Sequence, residues 1–410
     1  MKPLENMRIQ DDWLTDPGLQ KLFDILTADG GEAMVAGGAV RNSLMGEPVA
    51  DVDLCTSLIP EEVIRRLEGA GQKAVPTGID HGTVTAVLQG APYEVTTLRE
   101  DIETDGRHAI VRFGTDWAAD ANRRDLTINA LYCDREGKVY DYVGGYQDVL
   151  DRNVRFIGNA EHRILEDTLR ILRFFRFFAW YGEGRPDAEG LKACNANKKL
   201  LGGLSVERVW AEMKKLLSAP DPGRALLWMR TTGILGGLVP ESVKWGIDAM
   251  PGLLQLEQEQ TWKPDPMLRL MAMVRPELEN VRGLAKRLAL SNIERERLEQ
   301  WADSVLPKPE IEVAELEKLL YRGSRQGMID AMKLEVVHLR NRDDDKGADA
   351  ILGLISHALQ WERPEFPLKG KDLLAAGFEP GPAMGKKLAE LEEKWIESGF
   401  ELEKGDLLKE

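Results

Sequence analysis

The chain has 410 residues and a mass of 45.9 kDa, more than one hydrophobic core usually serves, so two or more domains are expected. With 43% hydrophobic residues, 30% charged residues and a net charge of −15, it is neither disordered nor collagen-like. Its longest apolar stretches stop well short of the roughly 20 residues that a membrane span needs.

The N-terminal segment carries acids and no apolar run, so it reads as neither a secretory nor a transit peptide. Up to about residue 150 the pattern is mixed, with short β-branched runs such as AMVAGG, DVDLCT, TVTAVLQ and YEVTTL between turn residues. From about residue 160 onward, helical periodicity takes over, broken at Ser218–Gly223, Leu306–Pro309 and Glu362–Pro367. The class expected is α+β, a mixed sheet backed by helices and then an all-α remainder. Cys55, Cys133 and Cys194 are far apart and form no CxxC pair, which argues against a disulfide or zinc framework and for a reducing cytoplasm. One segment departs from the acidic whole: Arg152–Leu217 holds 13 Lys and Arg against 8 Asp and Glu. A basic island of that kind suits a phosphate-bearing partner, although a helix that is merely basic on one face would look the same.

The first chemical signal is a strand that ends in Gly37-Gly38, followed by a helix and a second strand carrying Asp51-Val52-Asp53. Strand residues two apart share a face, so the two carboxylates are expected to project together. Their mutual repulsion is what a divalent metal removes, and Mg2+ accepts a few carboxylates plus water and phosphate oxygens. The two glycines would let backbone N–H groups approach a polyphosphate at a helix start. Glu94, alternating with Tyr93 and Val95, is the natural third carboxylate, though a strand Glu alone is ordinarily just exposed. His81, His108, His162, His338 and His357 show no ligand spacing, and Arg342–Lys346 reads as a solvated loop or helix start.

The run from Gly37-Gly38-Ala-Val-Arg41 through Asp51-Val52-Asp53 resembles motif A of the nucleotidyltransferase branch that contains the tRNA CCA-adding enzymes and the bacterial poly(A) polymerases. Arg123-Arg124-Asp125-Leu-Thr-Ile-Asn129 is similar to that family's RRD motif, Asp141-Tyr-Val-Gly144-Gly145 to its connecting motif, and Glu166-Asp167-Thr-Leu-Arg170 to its EDxxR template. The likeness covers about residues 33 to 217. It departs at Asn42, where the family commonly has Asp.

The resemblance implies two Mg2+ ions at Asp51 and Asp53, with Glu94 in the same set, and in-line attack of an RNA 3′-hydroxyl on an α-phosphate with pyrophosphate leaving. Arg41 would meet the triphosphate. Asp125 and Asn129, four apart on an expected helix, could hold a ribose hydroxyl, with Arg124 near phosphate or sugar; a capped, charged helix start is the plainer reading. Glu166, Arg170, Arg173 and Phe177 are expected to form one helical stripe, flanked by Asp167. Its plain reading is an i,i+4 ion pair. Its sharper reading is a protein template in which the Asp167 carboxylate accepts and the Arg170 guanidinium donates, matching the amino groups and ring acceptors of cytosine and adenine and opposing uracil and guanine. Glu166 would orient Arg170, while Arg173 and Arg176 would face phosphate.

The implied partners are tRNA, through its acceptor arm and elbow, with CTP and ATP as substrates. The alternatives are a poly(A) polymerase and a partial enzyme adding only CC or A. The segment Ala74–Val84 lacks the arginine cluster of the poly(A) polymerases, and Leu98–Phe113 looks like the flexible loop that CC-adding members lack. The expected domains are a head at 1–151, a neck at 152–222 with the template helix, a body at 223–320 and a tail at 321–410. Within the neck, Leu204–Leu217 resembles the family's neck helix, and Phe378–Lys387 in the tail reads as a turn feeding a lysine-bearing helix that could hold tRNA phosphates.

Overall fold

The computed structural model describes residues 4, 7–104 and 109–409, and the chain divides into two compact units, Met1–Ile234 and Leu235–Glu410.

In the first unit, Asp16 caps α1 (Pro17–Thr27) by accepting from the Leu19 N–H, and Pro17 sits where no N–H is needed. Leu19, Leu22, Phe23 and Leu26 form its buried stripe. The fully buried β1 (Ala33–Ala36) turns through Gly37 into α2 (Gly38–Met45), which left-handed Gly46 ends. Next come β2 (Leu54–Thr56), α3 (Pro60–Gly69) and the antiparallel meander of β3 (Lys73–Gly78), β4 (Thr83–Leu88) and β5 (Ala91–Thr97). A separate ribbon joins β6 (Arg99–Thr104) to β7 (Ala109–Phe113). It occupies the segment expected as a flexible loop, whose residues 105–108, His108 among them, lie outside the described residues. Beyond α4 (Trp117–Arg123), β8 (Leu131–Cys133) and β9 (Val139–Asp141) complete a seven-stranded sheet of order β3-β4-β5-β2-β1-β8-β9.

All neighbours in that sheet are antiparallel except β2 and β5, whose parallel register sets Leu54 beside Val95. Trp117 packs edge-on to Tyr132 over Met34, Ala36, Cys55 and Leu98, so the core lies directly beneath β1 and β2. Helices follow: α5 (Gly145–Leu150), α6 (Ala160–Glu166), α7 (Arg170–Tyr181), α8 (Ala188–Asn197), α9 (Val206–Leu217) and α10 (Gly223–Thr231). The break expected at Ser218–Gly223 is the link between α9 and α10.

Three local expectations are corrected. Asp51 and Asp53 precede β2 rather than lying within it: β1 turns away at Gly37, and the Asp53 carbonyl accepts the Ala36 N–H at 2.8 Å. Asp125 and Asn129 do not share a helix, because α4 stops at Arg123, Arg124 is extended and only a 3-10 turn spans Thr127–Asn129. The stripe from Glu166 to Phe177 is interrupted between α6 and α7. There Asp167 is extended (φ −151°, ψ 107°) and its carboxylate accepts the Leu169 N–H at 3.1 Å, a local bond that competes with helix continuation.

The described residues of the second unit form helices and connecting loops, with loops at Leu306–Pro309 and Glu362–Pro367; Asp344 caps the helix Asp345–Gln360. Its core contains an ion pair with almost no exposure, Arg269 (1%) and Glu257 (5%), joined by Nη2 donating to Oε2 at 2.6 Å and Nε donating at 3.2 Å. Removing one partner strands the other charge in the interior. Glu257→Ala is expected to cost about 3–5 kcal/mol, read as a fall in the urea unfolding midpoint.

Candidate active site

One cavity of about 950 Å³ lies in the first unit and takes in the cleft face of the sheet, the start of α2 and the cavity-facing sides of α7 and α9. Every site residue expected from sequence lines it except Glu166, which stands behind Arg170.

The entry to α2 explains the glycine pair. Gly37 has φ +72°, and a Cβ there would come within 3.3 Å of the Asn129 carbonyl and 3.4 Å of the Arg124 guanidinium. At Gly38 a Cβ would meet only the Arg41 guanidinium, at 3.8 Å. The start of α2 therefore presents bare backbone to the cavity.

Opposite lie the acids. Since Leu54 pairs with Val95 in parallel register, Asp53, just before β2, comes level with Glu94 of β5. Tyr93 and Val95 are buried on the other face of β5, which turns Glu94 to the cleft. The Asp53 carboxyl is pushed up to about 6, by desolvation on the cleft floor first, then by the charges of Glu94 and Asp51, against the pull of Arg124. Among the described residues, no three His, Cys, Asp or Glu side chains make a ready metal cage. Such a cage is not what Mg2+ asks of a protein, since one or two carboxylates with substrate phosphates and water suffice. A cation fits here, because it would relieve the repulsion that raises Asp53.

Arg41 is buried and spans the cavity wall. Its guanidinium donates to Asn129 Oδ1, to the Tyr181 hydroxyl at 2.8 Å and to Asn42 Oδ1 at 2.8 and 3.1 Å, and it stacks 3.9 Å from the Tyr181 ring centroid. Desolvation pulls its pKa below the ordinary arginine value, and its hydrogen-bond partners among the described residues are neutral. Its charge thus remains for an incoming anion. Asn42, at the departure from the family pattern, also donates Nδ2 to the Pro48 carbonyl at 2.7 Å, tying α2 to the loop that leads to Asp51. An aspartate cannot donate there and would meet that carbonyl as acceptor against acceptor. Asn42→Asp is expected to lower kcat/KM for the nucleotide about tenfold, measured by steady-state extension.

Arg124 is held by a residue that sequence reading missed. Asp120 is fully buried and accepts from Arg123 Nε at 2.8 Å, Arg124 Nη2 at 3.2 Å and the Tyr132 hydroxyl at 2.8 Å. Burial would raise its carboxyl, but Arg124, Arg123 and Tyr132 outweigh burial and hold it below the usual range. The i,i+3 and i,i+4 spacing of an Asp before two arginines was the available signal. Arg124 also reaches the Asn129 carbonyl at 3.3 Å and Cys55 Sγ at 3.1 Å. Asp125 and Asn129 do meet, Nδ2 to Oδ1 at 3.3 Å, through the turn rather than along a helix. Burial opposes ionisation of Asp125, yet the charge of Arg173, which donates Nε at 2.6 Å, with bonds from Asn129 and the Leu126 N–H, takes its carboxyl down to about 2.

Around the break between α6 and α7, Arg170 donates to Glu166, to the Arg163 carbonyl at 3.0 Å and to the Arg123 carbonyl at 3.3 Å. Three of its five N–H groups are so engaged among the described residues, leaving Nε–H and one Nη2–H. Asp167 is tied to Arg208 of α9, and Arg176 to the buried Glu212 of the same helix at 2.6 Å. Arg208, Glu212 and Tyr181 were also missed. They come from elements whose contacts depend on tertiary packing, and nothing local in the sequence marks them.

Residues 33–155 match the family model described as Poly A polymerase head domain, and residues 185–245 the one described as Probable RNA and SrmB- binding site of polymerase A. Over 404 residues the chain is 36% identical to CCA tRNA nucleotidyltransferase 1, mitochondrial, of Danio rerio, spanning 95% of this chain and 89% of that protein. It is 31% identical over 400 residues to the CCA-adding enzyme of Lacticaseibacillus paracasei, spanning 93% of each. The crystal structure of Bacillus stearothermophilus CCA-adding enzyme in complex with CTP superposes with a TM-score of 0.75 at 27% identity, over 96% of both chains.

Proposed function

We propose that this chain, which belongs to the CCA tRNA nucleotidyltransferase family, completes tRNA by adding C, C and A to its 3′ end from CTP and ATP, with release of pyrophosphate. The observation that carries this reading is the meeting, in one cavity, of the Asp51/Asp53/Glu94 set, the Gly37-Gly38 helix start, an arginine-lined wall and the Asp167/Arg170 pair. Each supplies a different part of nucleotidyl transfer.

Asp51 and Asp53 would hold two Mg2+ ions, with Glu94 in the same carboxylate set. Bound there, the ions would supply activation of the RNA 3′-hydroxyl and charge neutralisation at the α-phosphate and leaving group. The chain's own residues do the rest. The bare start of α2 admits polyphosphate close to backbone N–H groups, and Arg41 and Arg124 offset its charge. Asp125 and Asn129 present an acceptor and an amide to the ribose hydroxyls. Asp167 accepts from the exocyclic amine of cytosine or adenine, and the free N–H groups of Arg170 donate to the ring acceptors beside it. Uracil and guanine would set carbonyl against carboxylate and N–H against guanidinium. Arg173 and Arg176 line the phosphate side.

For the larger architecture we keep the head at 1–151, neck at 152–222, body at 223–320 and tail at 321–410, with tRNA along the helical remainder and Lys386, exposed near the start of the helix Pro382–Glu397, toward its phosphates. No helix among the described residues is long and apolar enough to cross a membrane. Three buried free thiols suit a reducing compartment, for which we propose the cytoplasm; the Danio rerio relative is mitochondrial.

The test is extension of a tRNA transcript lacking its 3′ CCA, with Mg2+ and each nucleoside triphosphate singly, then CTP with ATP, beside oligo(A). Two C and one A, confined to tRNA, is the expected product. Long A tracts on oligo(A) would make the chain a poly(A) polymerase, and CC or A alone a partial enzyme.

A further inference from the structure

We propose that Arg208 of α9 is a positioning residue for base selection, fixing the Asp167 carboxylate in the orientation from which it reads the nucleotide. The inference rests on the reading of Asp167 and Arg170 as the base-reading pair.

The two members of that pair are held in different ways. Arg170 begins α7 and is braced by Glu166 and by the carbonyls of Arg163 and Arg123. Asp167 belongs to neither flanking helix. It sits in extended chain, half-buried at the cavity edge, and among the described residues of its own segment only the Leu169 N–H binds its carboxylate, at Oδ1. Left to that bond, Oδ2 would be free to swing and to bind water instead of a base.

Arg208 closes this gap from a separate element, Nη2 donating to Oδ2 at 2.7 Å, while its own side chain lines the same cavity. Its helix is itself fastened to α7 through Arg176–Glu212 and through Trp180 Nε1 donating to the Lys215 carbonyl at 2.8 Å. Each base-reading charge is thus oriented by an opposite charge, Glu166 for Arg170 and Arg208 for Asp167. A carboxylate has about four acceptor positions, so two committed to Leu169 and Arg208 leave room for an amine.

The test compares kcat/KM for CTP, ATP, UTP and GTP on CCA-less tRNA in wild type, Arg208→Ala, Arg208→Lys, Asp167→Ala and the Asp167→Ala/Arg208→Ala double variant. Arg208→Ala should lower the CTP-to-UTP and ATP-to-GTP ratios by about tenfold or more, and add nothing further in the Asp167→Ala background. Arg208→Lys should restore the ratios only in part, since a lysine keeps the charge without the planar fork. Unchanged ratios in Arg208→Ala, alongside lost selection in Asp167→Ala, would overturn the inference alone. An equal effect of Arg208→Ala with and without Asp167 would also overturn it. Intact selection in Asp167→Ala would bring down the base-reading pair itself, and this inference with it.

Discussion

Asp53→Ala is expected to abolish nucleotide addition while leaving tRNA bound. On the proposal that Asp53 holds catalytic metal, its loss removes several kcal/mol of transition-state stabilisation, which at about 4 kcal/mol is roughly a thousandfold in kcat. Asp53 is singled out over Asp51 because it combines desolvation with two acidic neighbours, and so is the acid whose charge most needs a cation. The substitution also relieves that repulsion, so the variant should fold at least as well as wild type. Single-turnover extension with CTP, beside filter binding of the same tRNA, separates the two effects. A binder built on a nucleotidyltransferase frame would show unchanged affinity and no activity to lose. Wild-type activity that survives the substitution at saturating Mg2+ would remove Asp53 from the chemistry.

The same residue shows how far a sequence can be read. The Gly37-Gly38 turn and the Asp51/Asp53 pair stood out by their spacing, whereas Glu94 and the arginines were picked out by the resemblance of four ordered motifs to a known family. What spacing did not recover was the backbone between them. Period-two alternation put Asp51 and Asp53 inside a strand, but strand assignment needs a partner, and β1 has already turned away at Gly37. Four-residue spacing put Asp125 and Asn129 on a helix, yet they meet through a turn. A long amphipathic pattern hid the interruption at Asp167, where a side-chain bond to Leu169 replaces the helical one. In each case the side chains still line one cavity, although the backbone that carries them is not the element expected. Asp120, Arg208 and Glu212 stayed hidden for another reason: a buried carboxylate such as Asp120 or Glu212, or an arginine such as Arg208 that pairs across two elements, looks like surface charge until the packing of those elements is known.

Arg170→Ala is the other substitution with a large expected effect, and its signature differs from that of Asp53. Arg170 keeps two N–H groups unengaged among the described residues, which the proposed reading assigns to the base, and hydrogen bonds from a charged donor are worth about 1.5–3 kcal/mol each. Cytosine offers two acceptors, N3 and O2, and adenine only N1, so the loss predicts a fall in kcat/KM of about 10²- to 10⁴-fold for CTP and about 10- to 10²-fold for ATP. The rate with UTP and GTP should stay near its low wild-type value, since those bases never engaged the guanidinium as acceptors. The variant is thus expected to be poorly selective because the correct nucleotides have fallen to the level of the wrong ones. Glu166 would lose its main partner but keep Arg163, whose Nη1 lies 2.9 Å away, so the helix end should hold and the thermal midpoint should move little. Arg170→Lys tests whether charge or shape matters: a point charge can steady a phosphate, but it cannot offer two parallel donors to cytosine N3 and O2. If Lys restores CTP and ATP fully, Arg170 belongs to the phosphate wall with Arg173 and Arg176, and selection lies elsewhere in the cavity. If it restores neither, the guanidinium edge is what distinguishes C and A from U and G.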